Sequence, residues 1–180
     1  MMQNTFPHSL ELPAHTPHAC RALGIDPGLA ATGYAVIGTL TKGGELCTWG
    51  SLKTSPKQST PERLQCIYRS IDALIGTWQP GIIVLEDVYV LDRFPNAAIQ
   101  LGEVRGVISL AAQNNGIEVM KIRPTEIKSC LTGNGRATKE QVHSAVKRML
   151  GIKQDIKPDH ASDATALALI ALSRKGHYVW

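Results

Sequence analysis

No apolar run in this 180-residue chain approaches the roughly 18 residues needed to cross a bilayer. The first residues have neither the basic start nor the apolar core of a secretory signal. A cytoplasmic protein with no membrane partner is expected. The four cysteines, Cys20, Cys47, Cys66 and Cys130, lie 27, 19 and 64 positions apart, without the close pairing of a zinc or redox site. They read as reduced packing residues. Also missing is a serine, cysteine or lysine whose neighbours mark it as a covalent nucleophile. Any hydrolysis is therefore expected to use water directly.

Periodicity is missing from residues 1 to 20, which carry Pro7, Pro13, Pro17 and three histidines. They read as a disordered extension, or as the product of a start codon set too early. Residues 21 to 180 are left as one domain, with enough apolar content (43% over the whole chain) for a single core. Charge is unevenly spread. Residues 1 to 120 hold 8 basic and 10 acidic side chains, a net of −2, whereas residues 121 to 180 hold 11 and 5, a net of +6. A basic final third suits a polyanion, although a solvated lysine-rich helix face would look the same.

What is present begins with Ala22, Leu23, Gly24 and Ile25, an apolar run that ends in Asp26 and turns at once through Pro27 and Gly28. A carboxylate at the tip of a buried strand is costly unless it is paired, hydrogen-bonded or bound to metal. A turn-initiating aspartate is the bland alternative. Residues 34 to 37 and 46 to 52 read as second and third strands, giving an antiparallel meander with 22 to 26. A helix follows from Pro61, with Leu64, Ile67, Tyr68, Ile71, Leu74 and Ile75 at helical spacing up to Gln79 and Pro80. Ile82, Ile83, Val84 and Leu85 then form a short continuous run, as in a central parallel strand, and it too ends in an acid, Glu86. A right-handed crossover between neighbouring parallel strands would set Asp26 beside Glu86.

Arg93, Pro95 and Asn96 read as a loop, and residues 97 to 114 as a long helix. Its mixed apolar and small positions, Ile99, Gly102, Gly106, Ile108 and Leu110, suit close packing on another helix, from the core or from a second subunit. Gly116 ends it, and 117 to 122 is the last strand. A short helix carries Lys128, and Thr138 with Gln141 forms a capping-box signature for a helix to Leu150. The final helix, built on Ala164, Leu167, Ala168, Ile170 and Ala171, is apolar enough to pack on the sheet. His160 and Asp163 share a face at its start, and so do Asp159 and Asp163, so spacing does not choose between them. Asp159 is placed to serve as N-cap, which competes with a role in the site.

The segments GIDPGLAATGY (24–34), VLEDVY (84–89), NAAIQLGEVRG (96–106), TGNGRATKEQV (132–142) and HASDATALA (160–168) together resemble the RuvC family of Holliday-junction resolvases. The resemblance runs from about residue 21 to 175. It implies an α/β, RNase H-like fold, with a five-stranded mixed β-sheet flanked by helices on both sides. It also implies a site in which Asp26, Glu86, His160 and Asp163 hold two divalent metals and carry catalysis. Some family members have Asp where this chain has His160, so His160 stands either as a ligand or as a proton donor, with Asp159 as a substitute ligand.

Mg²⁺ is the implied ion, and an imidazole in the set makes Mn²⁺ plausible. Two metals about 3.5–4 Å apart can activate water, steady the transition state and protect the leaving alkoxide. Lys128 and Lys139 match basic positions near the scissile phosphate, with Arg136 beside them on the glycine-rich loop, and Tyr89 matches an aromatic position that stacks on an unpaired base, a core aromatic under the loop being the alternative. The implied substrate is four-way junction DNA, cut by paired nicks in recombination and repair. The implied partners are a second copy, as a homodimer, and the RuvA and RuvB branch-migration proteins.

Three other readings compete. A YqgF-like RNA-processing nuclease shares the strand, Asp, Pro, Gly opening but is not expected to carry the 84–106 and 132–142 patterns. An actin-like kinase or ATPase needs two such lobes, which 180 residues can hardly hold. A catalytically dead junction-binding module would keep the basic surface and lose the acids, which are all here.

Overall fold

The computed structural model describes residues 20–40, 43–87 and 95–176. Five strands, β1 (Arg21–Asp26), β2 (Ala31–Leu40), β3 (Gly43–Lys53), β4 (Ile82–Glu86) and β5 (Glu118–Ile122), form one sheet in the order β3-β2-β1-β4-β5. The first three make the expected antiparallel meander, and β1, β4 and β5 pair in parallel. β2 and β3 are longer than the apolar runs at 34–37 and 46–52, with partners from Ala31↔Lys53 to Leu40↔Gly43. Backbone pairing continues through Thr32, Gly33, Gly38 and Thr39, whose side chains carry no strand pattern.

Five helices complete the order: α1 (Thr60–Trp78), α2 (Pro95–Asn114), α3 (Pro124–Thr132), α4 (Lys139–Leu150) and α5 (Asp159–Arg174). α2 takes in Pro95 and Asn96, which the sequence placed in a loop; proline is tolerated in a first turn, where its missing N–H has no partner to lose. The capping box at Thr138 forms as read, with Gln141 N–H donating to the Thr138 hydroxyl. Cys47 is buried, and Cys20 and Cys66 partly so. Cys130 is exposed on α3 and is not a packing residue, a correction to the expectation for it.

The sheet has a core on each face. Leu23, Ile25, Ile83 and Leu85 point towards α1 and α2, and Ala22, Ile82 and Val84 towards α3, α4 and α5. Successive strand side chains alternate between faces, so Asp26 follows Ala22 and Gly24, and Glu86 follows Ile82 and Val84. Both acids therefore emerge on the face that α5 covers. The β1/β4 register, with Ile25 opposite Leu85, brings the strand tips level.

α5 lies unusually close to that face. Its alanines 161, 164, 168 and 171 are fully buried. A Cβ on Gly24 would overlap the Ala164 carbonyl and lie 2.8 Å from the Ala168 amide nitrogen. A Cβ on Gly33 would overlap the His160 carbonyl and lie 2.7 Å from the His160 Cβ. The two glycines, on neighbouring strands β1 and β2, set the height of the helix above the sheet.

Gly24→Ala must push backbone against backbone. It is expected to cost about 3 kcal/mol, the upper end of overpacking penalties, and to lower Tm by roughly 6–12 °C in a thermal melt. Gly76, exposed within α1 and with nothing within 4 Å of where a Cβ would stand, is the control. Gly76→Ala should stabilise by about 0.5–1 kcal/mol; equal effects of the two changes would contradict the close approach.

Candidate active site

Asp26 comes from the end of β1, Glu86 from the end of β4, and His160 and Asp163 from the first turns of α5. A cleft of about 280 Å³ is lined by Asp26, Glu86, Lys128, Lys139 and Asp163, with an apolar wall that includes Ile127 and Leu167. One ligand atom from each of Asp26, His160 and Asp163 lies within 4.8 Å of the others. Glu86 shares the cleft without belonging to that tighter triangle.

Hydrogen bonds orient these groups. His160 Nδ1 lies 2.6 Å from Asp26 Oδ2. From α4, Lys139 Nζ is 2.9 Å from Asp163 Oδ2, and His143 Nε2 is 3.1 Å from Asp163 Oδ1. Arg105 on α2 pairs with Asp87 at 3.2 Å, and the Asp87 amide donates to the Ile122 carbonyl at 2.7 Å, which holds the chain just after Glu86 against β5.

Burial raises the Asp26 carboxyl above its ordinary range; the His160 hydrogen bond lowers it and the charge on Asp163 raises it further. Glu86 is raised by burial first, then by Asp26 and Asp163. Lys139 is held above its ordinary value, chiefly by its hydrogen bond to Asp163. Three crowded acids, two of them resisting ionisation, form a donor set that a cation would relieve. Carboxylate oxygens with one imidazole fit a hard divalent ion.

The expected N-cap role of Asp159 is not found. Pro158, with extended backbone, is the N-cap of α5, and its carbonyl accepts from the Ala161 amide at 2.9 Å. Asp159 is thereby the first helical residue, and its side chain is 76% exposed and 3.9 Å from Lys139 Nζ. Lys128 and Lys139 do reach the cleft. Arg136 is exposed in the turn between α3 and α4, where its amide donates to Asn134 Oδ1, and it does not line the cleft. Tyr89 and Arg93 lie outside the described residues. His143 was not singled out from the sequence. Its signal was there: it falls four residues after Lys139, on the same face of a capped helix.

The sheet order, its covering helices and the acid cluster define a nuclease of the RNase H-like class. A family model described as "Crossover junction endodeoxyribonuclease RuvC" matches residues 22–171. A crossover junction endodeoxyribonuclease RuvC of Alkaliphilus metalliredigens is 35% identical over 156 residues, covering 87% of this chain and 94% of the other. Among solved structures, RuvC of Thermus thermophilus is 29% identical with a TM-score of 0.80, over 87% of this chain and 97% of that one. The same protein in complex with a Holliday junction substrate is 26% identical with a TM-score of 0.77, over 88% and 97%. This chain belongs to the RuvC family of crossover junction endodeoxyribonucleases.

Because Asp26 and Glu86 titrate above their ordinary values of 3.8 and 4.5, the folded chain holds more protons than the unfolded chain in the interval above them. Stability of the metal-free protein therefore falls as pH rises through that interval, and the penalty is complete beyond it. Asp26→Asn removes one buried charge and should raise the metal-free Tm at pH 8 by about 2–4 °C, with a smaller gain at pH 4. A drop in Tm at pH 8 would contradict the burial account.

Proposed function

We propose that this endonuclease resolves four-way DNA junctions by paired symmetric nicks, in recombination and repair, with water attacking the phosphodiester at a site that holds two Mg²⁺ ions. The observation that carries the reading is the convergence of Asp26, Glu86 and Asp163 from three separate elements on one cleft that also holds two lysines. Mn²⁺ is a plausible substitute because His160 supplies a nitrogen donor. Bound by Asp26, Glu86, His160 and Asp163, the cations supply Lewis acidity for water activation and for the charge that develops on phosphate.

The chain's own groups divide the remaining work. A phosphodiester approaching three carboxylates meets repulsion, and Lys128 and Lys139 offset it while positioning the strand without reading its bases. Arg136, outside the cleft, extends that contact along the flanking backbone, and Tyr89 stacks on an unpaired base at the crossover. His160 Nδ1 lies 2.6 Å from Asp26 Oδ2, so the imidazole orients the carboxylate. Asp26 and Glu86 must be ionised to hold a cation, and both titrate above their ordinary values, so affinity would weaken as pH is lowered. Asp159, exposed and turned to Lys139, is left out of the ligand set.

Two nicks need two sites, and α2 offers a face for a second copy. Ile99 and Leu110 are 63% and 53% exposed, and nothing lies within 4 Å of a Cβ position on Gly102 or Gly106 between them. An isologous pair across this face matches the near two-fold symmetry of a junction. The family resemblance adds RuvA and RuvB as partners; the sequence itself supports a cytoplasmic setting and an N-terminal extension over 1–20 ahead of a nuclease domain over 21–180.

Synthetic four-way junctions should be nicked symmetrically with Mg²⁺ or Mn²⁺, linear duplex should be spared, and EDTA should stop the reaction. Asp26→Asn and His160→Ala should fall to background while Asp159→Ala stays active. Junction binding without cleavage under any metal would favour a binding module instead. The double change Ile99→Asp, Leu110→Asp should give a monomer by sedimentation and unpaired nicks; a dimer that persists would exclude the α2 face.

A further inference from the structure

Both oxygens of Asp163 are taken from α4, but the two donors differ in kind. Lys139, which contacts Oδ2, lines the cleft and faces incoming phosphate as well. His143, which contacts Oδ1, does not line the cleft and has a side chain only 24% exposed. An ionised carboxylate only accepts, so His143 Nε2 is the donor whatever the charge on the ring. Lys139 and His143 sit four residues apart on one face of a helix capped at Thr138, which makes the pair a rigid fork.

We propose that His143 is a positioning residue for the reaction proposed above: by holding Asp163 Oδ1 from behind the cleft, it keeps this carboxylate aimed at the cation site when Lys139 is drawn to DNA phosphate. The proposal rests on Asp163 being a metal ligand. Without His143, Asp163 has one anchor, a flexible lysine that it must share with the substrate. Donors to a ligating carboxylate fix its rotamer, and losing one weakens metal affinity by about 10–100-fold. Glutamine places an amide N–H close to where Nε2 stands, so it should preserve the contact; alanine should not.

The test measures Mn²⁺ binding to the full chain by calorimetry, without DNA, for the wild type and for H143A, H143Q and D26N, with junction binding in EDTA followed alongside. H143A should bind Mn²⁺ about 10–100-fold more weakly, H143Q should stay close to wild type, and both should bind the junction normally in EDTA. Wild-type Mn²⁺ affinity in H143A, or H143Q as weak as H143A, overturns the positioning role. D26N separates the two ideas. If D26N loses Mn²⁺ and H143A does not, only the role of His143 fails; if D26N also binds like wild type, the carboxylate site itself is wrong and the proposal falls with it.

Discussion

The approach of α5 to β1 and β2 is the contact on which the site depends. Gly24 and Gly33 leave no side chain between sheet and helix, and the buried alanines of α5 fill the space that remains. Any larger residue at either glycine would lift the first turns of the helix, and with them His160 and Asp163. The 2.6 Å contact between His160 and Asp26 spans 134 positions of sequence, yet it follows from the packing distance of one helix. The geometry of the acid cluster is a by-product of close packing, and its tolerance is that of a core.

That packing brings carboxylates together against their electrostatic preference. Burial and mutual repulsion push Asp26 and Glu86 towards the neutral form, and the chain answers with charge from several elements. Lys139 and His143 lean on Asp163, His160 on Asp26, and Arg105 on Asp87 beside Glu86. None of these is an isolated surface pair, whose worth would be small. Each fixes the orientation of an acid, or of the backbone next to one, that repulsion would otherwise turn outwards. The result is a cluster of oriented acids whose crowding a cation would relieve.

Most of the fold was legible because its signals are local. The continuous runs at 22–25 and 82–85 and the helical spacing from Leu64 to Ile75 each report burial directly. Asp26 and Glu86 were legible for the same reason: an acid at the end of an apolar run stands out. The longer reach of β2 and β3 was not, since glycine and threonine pair through the backbone and leave no pattern. Asp159 was misplaced because an N-cap signature reads the same whether the helix starts at that residue or one before it, and Pro158 decided the matter. His143 was passed over although it follows Lys139 by four residues on one face of α4, because its partner Asp163 lies on a different helix and contacts between elements have no spacing in sequence.

The charge asymmetry along the chain acquires a structural meaning once the elements are placed. Asp26 and Glu86 come from the first two-thirds, with its net negative charge, and Lys128 and Lys139 from the basic final third. The sheet topology folds α3 and α4 over the strand tips, so acids and lysines meet in one cleft only in the folded chain. A site for cutting a polyanion needs both signs: negative groups to gather cations and positive groups to admit the substrate. Asp163, the third acid, comes from the basic final third itself, and Lys139, paired with it at 2.9 Å, stands where the two signs touch. It is the one lysine in direct contact with an acid of the cleft among the described ion pairs.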